Sequence, residues 1–357
     1  MNSRERMIAA IDHHEPDRVP KGELCIEAGL ANRLLQKDYP TDYQHFERDR
    51  AVRELLNIDF VNLGDWPNEY LGRDKNGYHR YKSAYGHEFV STGLSCSVVK
   101  PAVLDIANAR YYKKPDIKKV NPGIIRRFRE ETELFVIGQV GGPVSMLDEM
   151  FPMEDYLVYC LTNTIEMRII GEKVMEYEVE KAKLFLDAGA DAIIIADDIA
   201  FNAGPFLPPG IMDEIVYPFY RSAINEIKRH KDVPLFFHSD GDLHTILERL
   251  VSCGFNGLHS LQPSAGMDIA QVKKDYGDVL TLIGNIDLDY IMTMASASEV
   301  FENVRQTIEE AAPGGGYILS TCNTLVDAIP ECNALAMYEA GSTFGIYEKG
   351  ELSDAGL

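Results

Sequence analysis

Eight short apolar runs, each separated from the next by at least one stretch of helical periodicity, limit what this chain of 357 residues can fold into. Members of the runs are Glu23, Phe60, Leu134, Ala192, Leu235, Leu258, Leu282 and Ile318. Runs without polar alternation belong to strands covered on both faces, and such strands occur in parallel sheets flanked by helices. Eight alternations predict an α/β fold of the closed (β/α)₈ type, a TIM barrel. The competitor is an open doubly wound sheet, which needs a glycine-rich phosphate loop after an early strand. Gly314, Gly315 and Gly316 precede a strand instead and read as a turn.

The helical segments fall at about 28–35, 43–56, 117–133, two within 155–187, 208–229, 242–251, 267–274, 297–311 and 330–340. One region departs from the alternation. The sequence DKNG at 74–77, flanked by Tyr70, Tyr78, Tyr81 and Tyr85, is a hairpin signal, so a β-hairpin is expected to be inserted after the second strand over about 70–100. The expectation is a single barrel domain over 1–357 carrying that insertion.

Composition narrows the partners. With 45% hydrophobic and 25% charged residues, the chain can bury a large core and leaves little room for disorder. A net charge of -21 repels nucleic-acid backbones and anionic membrane surfaces, so neither is expected as a partner. The longest apolar runs, such as 192–196, are far short of the roughly 20 residues of a membrane span. Six scattered cysteines without CxxC pairs, and an N-terminus lacking the apolar stretch of a secretion signal, read as a cytoplasmic protein with reduced thiols.

Chemistry gathers where the strands end. The run VPLFF at 233–237 stops at His238, Ser239, Asp240 and Gly241, and His238 and Asp240, two apart, point the same way. At the carboxyl-terminal face of a barrel they meet Glu23, Asp65, Gln139, Asp197, Asp198, His259, Gln262, Asn285, Asp287 and Cys322. This acidic rim suits a cation. Zinc accepts imidazole nitrogen, thiolate sulfur and carboxylate oxygen, so His238 and Cys322 are candidate ligands, with Asp240 or Glu23 as a third. Each residue also has a bland reading. Asp240 or Asp242 can cap a helix, Asp197 and Asp198 can hold backbone amides, Asn285 can serve a turn, His259 can satisfy a core carbonyl, and Cys322 can be a small buried hydrophobe.

The pieces RERMIAAI at 4–11, EPDRVP at 15–20, GGPVS at 141–145, AGADA at 188–192, HSDG at 238–241, GNID at 284–287 and Cys322 ahead of Pro330 and Asn333 resemble the uroporphyrinogen decarboxylase superfamily. Within it, the chain looks like the zinc- and corrinoid-dependent methyltransferase branch. That branch binds zinc with a His-x-Cys pair on the fifth strand and a later cysteine. His238 and Cys322 match, while Asp240 stands at the place of the pair's cysteine. One fewer thiolate makes a bound metal harder and more Lewis-acidic, suited to polarising the oxygen of a methoxyl donor.

The resemblance implies an enzyme that moves a methyl group from a small methylated or methoxylated molecule to a corrinoid (cobalamin) carried by a partner protein. Zinc would sit on His238, Asp240 and Cys322, with Glu23 as a further ligand. Asp65, Asp197 and His259 are the candidate proton donors, and Gln139, Asp198, Gln262 and Asn285 the candidate substrate contacts. Relatives commonly form homodimers. The alternative is metal-free uroporphyrinogen decarboxylation, toward which Asp65 matches a functional aspartate of that branch. Against it, residues 22–29 lack the arginine that would meet an acid-rich tetrapyrrole and offer Glu23 and Glu27 instead. A non-catalytic binding scaffold, showing neither metal nor turnover, is the third class.

Overall fold

The computed structural model describes residues 1–91, 96–103 and 105–347. It has an α/β fold whose main sheet is seven-stranded and takes its strands in chain order. The chain divides into two compact units, one of Met1–Val61, Glu133–Phe135 and Asp268–Leu357, the other of Asn62–Thr132 and Val136–Met267. Among the described residues, no helix is long and apolar enough to cross a membrane.

The first unit opens with helix Ser3–Ile11, where Asn2 and Glu5 form a reciprocal capping box that satisfies amides at the free end. Its Arg6 reaches Asp59 at 2.6 Å, Arg18 reaches the same carboxylate at 2.7 Å, and the Lys21 amide donates to it at 2.8 Å. Strands Thr281–Ile286 and Tyr317–Thr321 pair in parallel, with Asn285 opposite Ser320, and both are fully buried. Helices Ala297–Ala311 and Glu331–Phe344 complete the unit.

The first expected strand, around Glu23, is not a regular ladder. Residues 20–27 run beside Tyr317–Thr321 and its continuation through two isolated parallel bridges, Lys21 with Leu319 and Ile26 with Leu325. Pro20 has no amide to donate. Between the bridges the Glu23 side chain accepts from the Thr321 amide at 3.3 Å, so a carboxylate takes a donor that a ladder would have paired with a carbonyl.

In the second unit, strands Phe135–Gly141, Ala192–Ala196, Leu235–Ser239 and Gly257–Ser260 lie parallel in that order. The apolar residues 192–195 and 235–237 are buried, as strands covered on both faces require. The register sets Gln139 beside Ile194, His238 beside Ala196, and His238 beside His259. Helix Thr164–Asp187 packs against Ala192–Ala196.

The insertion is larger than one hairpin. Strands Glu69–Arg73, His79–Lys82, Glu88–Ser91 and Cys96–Lys100 form a four-stranded antiparallel sheet. Its first turn is the expected one at 74–77, and cross-strand ring contacts, Tyr70 tilted against Tyr81 and Tyr81 stacked on Phe89, carry the pairing onward. Two helical expectations also change. The stretch 208–229 folds as Pro209–Ile215 and Tyr217–His230, and the helix expected from 242 begins only at Leu247.

Candidate metal centre

Three ligand-type side chains of the second unit converge at adjacent strand ends. One atom each from Asp198, His238 and Asp240 lies within 4.8 Å of the others. His238 is the penultimate residue of Leu235–Ser239, and Asp198 follows Ala192–Ala196 by two residues. Parallel pairing of those two strands makes them neighbours.

Each member is held by its surroundings. The Nδ1 atoms of His238 and His259 are 2.7 Å apart, so one carries the proton and the other accepts it. That contact leaves His238 Nε2 facing Asp198 Oδ1 at 3.7 Å. Asp198 in turn accepts the Asp240 amide at 3.1 Å, while its own amide donates to Ser145 Oγ at 2.8 Å. Ser239 Oγ ties the two strand ends, accepting the Ile199 amide at 3.0 Å and donating to the Asp240 carbonyl at 2.7 Å. Gln262 Oε1 accepts the Gly241 amide at 2.9 Å.

The backbone is unusual here. Gly241 has φ +90°, and a Cβ on it would come within 2.5 Å of the Ala200 carbonyl oxygen, so the loop needs glycine. Ser260 and Leu261, directly after His259, take φ 115° and 55°. Non-glycine residues in that region store strain and concentrate at functional sites.

The donor set fits a divalent cation. One imidazole and two carboxylates match the ligand types that zinc accepts, and the two charges balance a dication. Donors at about 2.1 Å from a tetrahedral ion stand roughly 3.4 Å apart. The 3.7 Å between His238 Nε2 and Asp198 Oδ1 is close to that.

Asp197 is buried and accepts the amides of Val144 at 3.2 Å and Ser145 at 2.6 Å, together with the Tyr220 hydroxyl. Burial pushes its carboxyl up to about 7, against these donors, which favour the ionised form. Gly142 packs so closely that a Cβ would meet Asp197 at 2.3 Å. Asp65 accepts the Asn121 amide at 2.8 Å, and Gln139 accepts from the Asn62 side chain. In the first unit, Glu23 is buried among Thr321, Ser320 and Tyr338, all donating to it. Burial raises its carboxyl to about 7. Cys322, which follows Thr321, and Asn285 are buried, and Asp287 caps the turn after Thr281–Ile286 through the amides of Tyr290 and Ile291.

Sequence reasoning placed Asp198 among the substrate contacts, whereas its geometry joins it to His238 and Asp240. Ser145, Tyr220 and Ser239 went unnoticed. Tyr220 lies within a helix and carries no local signal, while Ser145 ends the GGPVS stretch and Ser239 sits inside HSDG, and their hydroxyls are the cue.

Comparison with known proteins gives consistent relatives. Residues 83–344 match the pattern of the uroporphyrinogen decarboxylase (URO-D) family. The methylcobamide:CoM methyltransferase MtaA of Methanosarcina barkeri is 25% identical over 186 residues, 51% of this chain and 52% of that protein. The uroporphyrinogen decarboxylase of Alkalilimnicola ehrlichii is 28% identical over 177 residues, 47% of this chain and 44% of that one. The chain thus spans about half the length of the curated relatives it matches. A solved methyltransferase from Methanosarcina mazei shares the fold, with a TM-score of 0.76 at 19% identity, covering 96% of this chain and 99% of that one.

Proposed function

The chain belongs to the uroporphyrinogen decarboxylase family, and from that premise we propose that it transfers a methyl group from a small methoxylated molecule to a corrinoid carried by a partner protein. The observation that carries the reading is the convergence of Asp198, His238 and Asp240. The likeness to MtaA supports the choice of acceptor. Asp198, His238 and Asp240 would hold a zinc ion, which when bound would supply Lewis acidity toward the donor's oxygen.

The chain's own residues prepare that oxygen's departure. His238 presents Nε2 because His259 engages Nδ1, which fixes the tautomer and the ring plane. The Asp240 amide and the Ser145 hydroxyl hold the Asp198 segment in place, and Gln262 steadies the loop through the Gly241 amide. When His238 Nδ1 donates to His259 Nδ1, the proton of His259 resides on Nε2. The C–O bond would break as the acceptor's cobalt(I) supplies the electron pair for its new bond to the methyl group, while the oxygen would keep the C–O pair and take a proton from solvent. Asp197 and Asp65 are less suited, since each is occupied with backbone amides.

The test is methyl transfer from methoxylated donors to free cob(I)alamin, followed by the change in the corrinoid's absorbance. Transfer is expected with the metal-loaded protein and is expected to be lost after chelation and to return on adding zinc. Undiminished transfer by metal-free protein contradicts the proposal, and turnover of uroporphyrinogen III without metal replaces it with decarboxylation.

A further inference from the structure

We infer that Asp197 is a positioning residue of the metal centre: its buried carboxylate clamps the segment from which Asp198 reaches toward His238 and Asp240. The inference rests on the proposed metal centre, and it gives Asp197 a task other than the proton donation expected from the sequence.

The two carboxylates are adjacent in the chain and opposite in surroundings. Asp197 is 1% exposed, whereas the Asp198 side chain leaves 55% of its surface to solvent. Both oxygens of Asp197 are engaged. Oδ1 accepts the Ser145 amide at 2.6 Å, and Oδ2 accepts the Val144 amide at 3.2 Å together with the Tyr220 hydroxyl. Donors directed at both oxygens call for a side chain that only accepts, which a carboxylate is and a carboxamide is not. Hydrogen bonds to an ionised acceptor are the strong ones, so the group is held firmly.

The clamp reaches Asp198 through few bonds. Ser145 engages both residues, its amide on the Asp197 carboxylate and its hydroxyl accepting the Asp198 amide at 2.8 Å. On the other side, the Asp197 amide donates to the His238 carbonyl at 2.9 Å, and the Asp240 amide donates to Asp198 Oδ1 at 3.1 Å. Residues 197 and 198 are thus fastened between the GGPVS turn and the strand end that carries His238. Gly142, whose amide donates to the Ala196 carbonyl at 3.1 Å, leaves no spare room, since a Cβ there would stand 2.3 Å from the Asp197 side chain. Loosening the Asp197 carboxylate therefore frees the peptide that aims Asp198, and groups that orient a ligand in this way govern metal affinity.

The experiment uses the full chain without corrinoid. Zinc affinity is measured by competition with a chelator, and the visible absorption of the cobalt(II)-loaded protein reports the number and arrangement of the metal's ligands. Asp197→Asn turns an NH₂ group toward an N–H or O–H donor and is expected to weaken zinc binding about 10–100-fold and to change the cobalt spectrum. Tyr220→Phe removes one donor of the three and is expected to move both readings in the same direction by less. Asp191→Asn controls for a purely structural effect: Asp191 precedes strand Ala192–Ala196 as Asp197 follows it, and accepts the Val136 amide at 2.9 Å. That variant is expected to lose stability in urea while keeping the wild-type zinc affinity and cobalt spectrum. Wild-type readings in Asp197→Asn, or an equal change in Asp191→Asn, overturn the inference. Where Asp197→Asn does not fold, Tyr220→Phe carries the test, and wild-type readings in it overturn the inference as well. A wild type that takes up neither metal removes the centre itself, and the positioning role with it.

Discussion

The imidazole of His238 divides its work between two nitrogens. Nδ1 meets His259 at 2.7 Å, and Nε2 looks toward Asp198 at 3.7 Å. Partners of this kind fix the orientation of a metal-binding imidazole, and losing them costs metal affinity. His259→Ala is accordingly expected to weaken zinc binding about 10–100-fold, with the fold intact, as measured by competition with a chelator of known affinity. Unaltered affinity would leave His259 with no positioning role. His238, Asp240, Asp198 and His259 were legible one by one in the sequence, because each is a polar residue at or just after an apolar run. The spacing grouped His238 with Asp240, but the place of Asp198 beside them and of His259 against His238 was not legible. The contact between the two rings depends on the register that sets residue 238 opposite residue 259, and the Tyr220 hydroxyl on Asp197 comes from a helix.

At the scale of elements, the buried strands were the easiest to read, since Ala192–Ala196 and Leu235–Ser239 have no polar alternation to confuse the pattern. Helix Ala297–Ala311 was also plain, with Ser296 and Glu299 forming its capping box. The segment around Glu23 misled because its composition is strand-like while Pro20 and the Glu23 side chain interrupt the ladder. The insertion over 69–100 carries four strands, whose later turn at 83–86 lacks the Asn-Gly signal of the first. The loop that follows His238 is specified by conformation. Gly241→Ala puts a methyl group into the Ala200 carbonyl at a positive φ, which costs about 1–3 kcal/mol and displaces Asp240. Denaturant unfolding together with zinc titration is expected to show lower stability and weaker metal binding. A variant as stable as the wild type and binding zinc equally would mean that the loop has room the packing does not suggest.

For the whole molecule, the repeating alternation of apolar runs and helical stretches carried the α/β class, and seven of the eight runs supply strands of the main sheet among the described residues, with the run around Glu23 left to isolated bridges. The acidic balance of -21 suits a protein that concentrates cations and repels anionic surfaces. The proposed methyl transfer turns on a metal ion at Asp198, His238 and Asp240. Elemental analysis of the purified chain beside His238→Ala tests this most directly. About one zinc per wild-type chain and a small fraction of that in the variant is the expected result; equal metal content in the two, or none in a wild type that still transfers methyl groups, would contradict it.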